Sequence, residues 1–268
     1  MVRPVSVEMS VRELRLDPPH TSAYGAFAAD TSAWYGKIKG MIDCTLALIA
    51  LVLSAPLVAL AAAAVKLTSR GPVFYSQVRL GRGGKPFTIY KIRTMVADCE
   101  KHSGAQWSTP GDARITAVGR FLRKTHIDEL PQLWNVLRAD MSLVGPRPER
   151  PEFVPQLEQA LSRYCERLRV RPGVSGLAQV QLPPDTDLDS VRRKLAHDLF
   201  YVSHMSLWLD LRILISTGLH VLGLPYALSA RLLALPGGNR VQQVYANSVA
   251  ALETKASPPA LVPDLQPA

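Results

Sequence analysis

Two adjacent acids stand in this chain just before an apolar, helix-like run, and their types and spacing suit chemistry on a phosphate. Asp128 and Glu129 open the stretch DELPQLWNVLRADMSLVGPRPE. Of two neighbouring carboxylates, one can attack as a nucleophile while the other holds a magnesium ion. The pattern also fits a structural role, in which Asp128 caps the following helix and Glu129 complements its dipole. Spacing alone leaves both interpretations open.

The same stretch holds an arginine between two prolines. Pro146 and Pro148 restrict the backbone on either side of Arg147. A stiffly mounted guanidinium suits bidentate recognition of a phosphate group. Further cations precede the acids, at Arg120, Arg123, Lys124 and His126. The histidine fits an acid–base role or an ordinary surface position. The cations around the acid pair therefore indicate an anionic ligand.

A short amphipathic helix is predicted to carry the acids. Helical spacing of apolar residues forms one face, made of Leu130, Leu133, Trp134 and Leu137. Pro131 is tolerated only in the first turn of a helix, which predicts Asp128 at or near the N-cap and Glu129 just inside. Free amides at such a helix start attract phosphate.

A β-hairpin is predicted upstream, where the runs VFYSQVRLG and PFTIYKI flank the turn GRGG. Alternation places Lys91 and Arg93 on one face of the second strand, where they either face a diphosphate or form an ordinary surface pair. The sequence GRGGK lacks the spacing of a P-loop. Its basic tip is therefore interpreted as a solvated turn near anionic headgroups.

Twenty apolar residues open the central part of the chain. They extend from Leu46 to Val65 and are interrupted only by Ser54 and Pro56, a length that suffices to cross a bilayer. Pro56 removes a backbone hydrogen bond and kinks the helix. Basic residues flank both ends, and such flanks prefer the cytoplasm. These features favour a re-entrant hairpin over about 38–66, broken at Ser54 to Pro56; a kinked single span and a buried core helix are the alternatives.

The remaining segments add charge and a second apolar run. Lys and Arg outnumber Asp and Glu by 31 to 22, which favours anionic partners such as phosphorylated substrates, acidic lipids or nucleic acid. Arg169 and Arg171 precede a Pro-Gly turn. The run from Asp198 to Leu224 is largely apolar and contains Trp208. It fits a core helix or a helix in the membrane interface, and the interface is favoured.

Taken in order, these segments resemble the bacterial sugar transferases, the monotopic polyprenyl-phosphate phosphoglycosyl transferases. The resemblance rests on the Pro-broken apolar run followed by SRGPVFYSQVRLGRGGKPFTIYKIRTM, DELPQLWNVLRADMSLVGPRPE, RVRPGVSGLAQV and SLWLDLRILI, and it covers about residues 35–222. The expected fold is mixed α/β and mostly helical, with a small β-hairpin, a re-entrant membrane helix and interfacial amphipathic helices. A sugar transferase domain at 34–224 would lie between a mobile tail at 1–33 and a C-terminal extension at 225–268 that is largely irregular at its end.

The resemblance also implies roles for single residues. Asp128 would be the nucleophile, and Glu129 would bind magnesium. Contacts to phosphate or nucleotide are implied for Arg123 and Arg147. With the residues selected above, the predicted substrate-binding set is Lys91, Arg93, Arg123, Pro146, Arg147, Pro148 and Arg171.

The implied reaction transfers a phosphosugar from a UDP-sugar to polyprenyl (undecaprenyl) phosphate and releases UMP. It would proceed through a covalent aspartyl intermediate, at the cytoplasmic face of the bacterial inner membrane. Such a step initiates assembly of exopolysaccharide, O-antigen or capsule. Membrane lipid is an expected partner, and nucleic acid is not.

Two other functions fit part of the pattern. A direct glycosyltransferase would release UDP rather than UMP. A non-catalytic basic membrane protein that binds anionic lipid or nucleic acid would explain the charge and the hairpin, but not the acid pair. The chain also departs from the family pattern at Ala55, Leu177 and Gln181. The last two lie in a region expected to shape the sugar pocket, whereas residues after about 225 have no counterpart in the family core.

Overall fold

The computed structural model describes residues 33–99 and 111–256. This part of the chain is mostly helical, with one small antiparallel hairpin, as predicted, and one parallel strand pair that was not predicted. The predicted N-terminal tail lies outside the described residues, apart from residue 33. In chain order the elements are α1 (Ala33–Thr68), β1 (Phe74–Leu80), β2 (Pro86–Ile92), α2 (Ala117–Thr125), α3 (Gln132–Leu137), β3 (Ser142–Val144), α4 (Val154–Ala160), β4 (Gly173–Ser175), α5 (Leu188–His204), α6 (Leu207–Val221), α7 (Tyr226–Leu232) and α8 (Gly238–Ala256).

Helix α1 contains the apolar run and continues through Pro56 for 36 residues. The predicted break at Ser54 to Pro56 is therefore not seen as an interruption of the helix. A proline removes only one amide donor, and the hydroxyl of Ser54 donates to the carbonyl of Leu51 at 3.3 Å beside it. Within the described residues, the segment Trp34–Thr68 is the one helix that is long and apolar enough to cross a membrane.

One face of α1 packs against the rest of the protein at separate points along the helix. In its first half, Ala47 lies in the main core with Leu133 and Val136 of α3. Near its end, Ala61 and Val65 pack with residues of β2 and α2. The opposite face exposes large apolar side chains, among them Leu48, Val52, Leu53 and Leu60. Both ends of the apolar helix therefore contact the same folded body.

A buried ionic cluster joins the start of α1 to this body. The Nζ of Lys39 lies 2.7 Å from Oδ2 of Asp210 in α6 and 3.5 Å from Oδ2 of Asp43. Ser142 of β3 donates its hydroxyl to Asp43 at 2.6 Å. Tyr201 of α5 donates to Asp210 at 2.6 Å. Side chains from four elements, α1, β3, α5 and α6, thus form one polar cluster around Lys39.

Two connections place the segments that carry the predicted site. Asn135 of α3 accepts from the amide of Tyr90 at 3.3 Å and donates to the carbonyl of Thr88 at 2.7 Å, which fixes the hairpin to α3. Strands β3 and β4 pair in parallel. The backbones approach so closely that a Cβ at Gly173 would lie 2.1 Å from the amide nitrogen of Gly145. Gly145 leads directly into the Pro-Arg-Pro segment.

The C-terminal region contains helices that were not assigned from the sequence. The apolar run from Asp198 to Leu224 divides into α5 and α6, because Ser206 caps a new helix by accepting from the amide of Leu209 at 3.2 Å. The extension after 225 forms α7 and α8, and its last dozen residues lie outside the described part of the chain.

Replacing Lys39 by Met should destabilise the protein. Asp43 and Asp210 would remain buried without the cation between them, and loss of one partner from a buried ion pair costs about 3–5 kcal/mol. We expect a lower midpoint of thermal unfolding in detergent. Lys37→Met is the matched control, since Lys37 is exposed on the same helix. Equal midpoints for the two variants would contradict a stabilising role for the cluster.

Candidate active site

The acid pair lies in a short turn between two helices. His126 ends α2 in a left-handed conformation, with φ of 56°, and a single 3-10 turn, Ile127–Glu129, follows. Helix α3 begins at Gln132 with Pro131 at its N-cap. The prediction of Asp128 at that N-cap is therefore wrong. Pro131 has no amide hydrogen to donate and takes the cap position, so the acids fall in the preceding turn.

Glu129 is held by two cations from distant parts of the chain. Its Oε1 lies 2.7 Å from Nζ of Lys91 on β2 and 2.5 Å from Nη2 of Arg147, whose Nη1 donates to Oε2 at 3.3 Å. Burial alone would raise the pKa of Glu129, but Arg147 and Lys91 outweigh it and hold the pKa well below its usual range. Glu129 is therefore ionised and neutralised by its neighbours.

Asp128 has the opposite environment. It is 6% exposed, and its Oδ1 has no hydrogen-bond partner among the described residues. Burial, followed by the negative charge of Glu129, raises the pKa of Asp128 to about 6. A carboxylate oxygen that accepts no hydrogen bond keeps its lone pairs available. Two adjacent acids whose environments separate their pKa values in this way are suited to two different chemical roles.

The Pro-Arg-Pro segment is fixed through its backbone. The carbonyl of Pro146 accepts a hydrogen bond from the amide of Gly173 at 2.9 Å. The carbonyl of Arg147 accepts from Nη2 of Arg167 at 2.8 Å, and that of Pro148 accepts from Nη1 of Arg79 at 3.2 Å. Backbone contacts of this kind leave the side chain of Arg147 directed to Glu129. The stiff mounting expected from the prolines is thus reinforced from β4, from β1 and from a buried arginine.

Arg167 was not selected from the sequence, although it supports the site. It is 3% exposed and donates to Oδ2 of Asp198 at 2.7 and 3.0 Å and to the hydroxyl of Tyr164 at 3.0 Å. Arg169 and Arg171 were selected from the sequence instead, because they precede a Pro-Gly turn. The signal that distinguishes Arg167 is its pairing with Asp198, 31 residues away, which sequence spacing does not reveal.

Other predicted substrate-binding residues lie in different places. Arg123 donates to the hydroxyl of Thr94 at 2.8 Å, and its charge lowers the pKa of Asp128, so it lies near the pair. Arg93 instead donates to the carbonyl of Ser69 at 3.1 Å and to that of Arg70, at the negative end of α1. Arg171 lies at the other end of α1, where a Cβ on Gly40 would be 3.7 Å from its Nη1.

The acid pair is the metal site that the sequence analysis expects. Within residues 33–99 and 111–256 there is no group of three or more His, Cys, Asp or Glu that could hold one. Magnesium in phosphate chemistry is commonly bound by one or two carboxylates together with substrate oxygens. The carboxylate of Glu129, one residue from Asp128, is a donor of that type.

Comparison with known proteins places these residues in a family. Residues 34–223 match the family described as bacterial sugar transferase. The chain belongs to the bacterial sugar transferase family. The resemblance predicted from the sequence is thereby confirmed, and the matched range contains the acid pair and the Pro-Arg-Pro segment. Helices α7 and α8 follow it.

Curated relatives of this sugar transferase include three similar enzymes. It is 44% identical over 204 residues to UDP-N-acetylgalactosamine-undecaprenyl-phosphate N-acetylgalactosaminephosphotransferase of Aeromonas hydrophila, covering 76% of this chain and 48% of that one. Two further relatives are UDP-glucose:undecaprenyl-phosphate glucose-1-phosphate transferases. The enzyme of Xanthomonas campestris pv. campestris is 39% identical, and the match covers 72% of this chain and 40% of that enzyme. The enzyme of Caulobacter vibrioides is 45% identical, and the match covers 67% of each chain. The chain thus spans less than half the length of the first two.

Arg147→Lys should reduce transferase activity about 10- to 100-fold, measured with the UDP-sugars for which these relatives are named. Lysine keeps the charge but loses the planar fork that bridges both oxygens of Glu129. Arg138→Lys is the matched control, because Arg138 pairs with Asp140 on the surface. Activity of Arg147→Lys equal to that of this control would mean that the planar fork of Arg147 is not needed.

Proposed function

We propose that this sugar transferase transfers a phosphosugar from a UDP-sugar to undecaprenyl phosphate, with Asp128 as the nucleophile. The observation that carries the proposal is the buried Oδ1 of Asp128, which has no hydrogen-bond partner among the described residues. It lies beside a glutamate that two cations already neutralise. The relatives compared above are named for this class of donor and acceptor. The product would initiate assembly of a surface glycan of the exopolysaccharide, O-antigen or capsule type.

The reaction takes place in two displacements at phosphorus. In the first, a carboxylate oxygen of Asp128 attacks the β-phosphorus, the bond to the bridging oxygen breaks, and UMP leaves with that electron pair. A phosphosugar remains on the aspartate. In the second, a phosphate oxygen of undecaprenyl phosphate attacks the same phosphorus, and the bond to Asp128 breaks, which restores the carboxylate.

Charge is the main obstacle to both displacements, because an anion approaches an anion each time. Arg147 and Lys91 lie beside the nucleophile and bind Glu129, so both are in position to bind the incoming diphosphate. Magnesium is the proposed cofactor, held by Glu129 with substrate oxygens; when bound, it supplies positive charge that offsets the approach. Arg123, close to Asp128, completes the set of cations that orient the phosphates.

Several contacts support a monotopic attachment to the cytoplasmic face of the inner membrane. The first and the second half of α1 both pack on one folded body. If α1 crossed the bilayer, parts of that body would have to lie on both sides of the membrane. The outer face of α1 is apolar and exposed, and so are Trp208, Leu211 and Ile215 of α6. In this arrangement α1 enters and leaves the lipid on the same side, as the basic flanks favour.

Asp128→Asn tests the nucleophile. The variant keeps the shape of the side chain but has no carboxylate, so transfer should be abolished while the fold persists. The measurement incubates the protein with magnesium and a UDP-sugar labelled in its β-phosphate, without a lipid acceptor. Wild type should release UMP, retain the label, and pass it on when undecaprenyl phosphate is added.

The matched control is Asp140→Asn, which changes a nearby acid that pairs with Arg138, and it should behave as wild type. An active Asp128→Asn variant, or label retained equally by it and by wild type, would disprove the assignment. Release of UDP instead of UMP would indicate direct glycosyl transfer.

Cysteine labelling tests the topology. Lys37→Cys and Arg70→Cys, each in a background without the native cysteines, place a thiol at an exposed position on either side of the apolar run. Both should resist an impermeant thiol reagent added outside intact cells and react once the cells are permeabilised. Labelling of one of them alone in intact cells would mean that α1 spans the membrane.

A further inference from the structure

Gln132, the first residue of α3, buries an amide nitrogen shortly after the acid pair. The residue is 1% exposed, and its Nε2 has no hydrogen-bond partner among the described residues. A side-chain amide nitrogen carries two N–H groups, and burying them without acceptors costs free energy. A donor that a native fold buries in this way therefore calls for a functional explanation.

The backbone places Gln132 on the same face as Asp128. Two of the residues between them, Leu130 and Pro131, have right-handed helical φ and ψ angles, so the chain turns helically from the acid pair into α3. In a helix, side chains four residues apart lie on one face, and each leans toward the N-terminus. The side chain of Gln132 is therefore directed back over the turn that carries Asp128.

The contacts of α3 show which way this face points. Asn135 follows Gln132 by three residues, a spacing that places both on one face of the helix. Asn135 donates to the backbone of β2 and accepts from it, at 2.7 and 3.3 Å. The same strand carries Lys91, which pairs with the acid next to Asp128 at 2.7 Å. The face that Asp128 shares with Gln132 is thus turned toward the strand that brings a cation to the site.

Asp128 and Gln132 carry complementary polar atoms that do not bond to each other. Oδ1 of Asp128 is an acceptor and Nε2 of Gln132 a donor, and neither atom has a partner among the described residues. Glutamine and aspartate at this spacing commonly form a hydrogen bond on a helix. Here the acceptor and the donor both stay available for a third group. A phosphoryl group suits both, because its phosphorus is an electrophile for the carboxylate and its non-bridging oxygens accept hydrogen bonds.

We propose that Gln132 is a further catalytic residue, whose Nε2 donates a hydrogen bond to a non-bridging oxygen of the phosphoryl group that Asp128 attacks. The proposal rests on the function proposed above. In the first displacement the bond from Asp128 to phosphorus forms as the bond to UMP breaks, and in the second the acceptor phosphate displaces Asp128. Gln132 keeps its protons in both. Because its donor is unpaired in the free protein, the hydrogen bond stabilises the transition state without an earlier bond being broken.

Gln132→Met tests the proposal, because methionine has a similar size and no donor. The kcat for transfer should fall about 10- to 100-fold. The midpoint of thermal unfolding in detergent should equal or exceed that of wild type, since the nitrogen that is removed has no partner to lose. The matched control is Gln242→Met in α8, which also removes a buried amide nitrogen without a partner among the described residues. Its kcat should equal that of wild type.

A donor labelled in its β-phosphate separates this inference from the proposed function. Without a lipid acceptor, Gln132→Met should acquire label about 10- to 100-fold more slowly than wild type, and calorimetry should show unchanged binding of UMP, which lacks the transferred group. A wild-type rate of labelling, weaker UMP binding or a lower unfolding midpoint would overturn the role of Gln132. If Asp128→Asn is inactive, a wild-type rate for Gln132→Met leaves the proposed reaction intact. Wild type that acquires no label, or that releases UDP, would reject the reaction and the inference with it.

Discussion

The carboxylate of Glu129 is the point at which the separate segments of the site are joined. Lys91 arrives on β2, Arg147 on the Pro-Arg-Pro segment, and Glu129 itself on a 3-10 turn between α2 and α3. A largely buried glutamate is tolerated only when it is paired, so each segment must be in place before the charge is compensated. The hydrogen bonds from Asn135 and Arg167 hold the two cation-bearing segments in the required positions.

Lys91 and Arg147 pair with Glu129, and the cations near its neighbour do not outweigh the burial of that second acid. Asp128 is one residue away, yet burial and the charge of Glu129 push its pKa in the opposite direction. The difference between the two acids arises from their partners and not from their own chemistry. The spacing of the cations is therefore as much a part of the site as the acids are.

The sequence predicted the parts of this arrangement that depend on local pattern. The apolar run, the hairpin and the ordered motifs led to the mostly helical fold and to the family, and both are confirmed. The start of α3 was misplaced, because the left-handed turn at His126 is not signalled by helical periodicity. Alternation predicted Arg93 beside Lys91 on one strand face, but β2 ends at Ile92 and the end of α1 supplies carbonyl acceptors for Arg93. The pairing of Arg167 with Asp198 depends on the folded chain as a whole.

The packed face of α1 has a further consequence for how substrates reach the acids. A helix of 36 residues extends for about 54 Å, and one side of it is fixed to the body near both ends. It cannot tilt or rotate without carrying the acid pair with it. If its outer face lies in lipid, the fold fixes the distance between Asp128 and the hydrocarbon region of the bilayer. An acceptor would then be selected by the depth at which it presents its phosphate, and the length of its hydrocarbon tail would matter little.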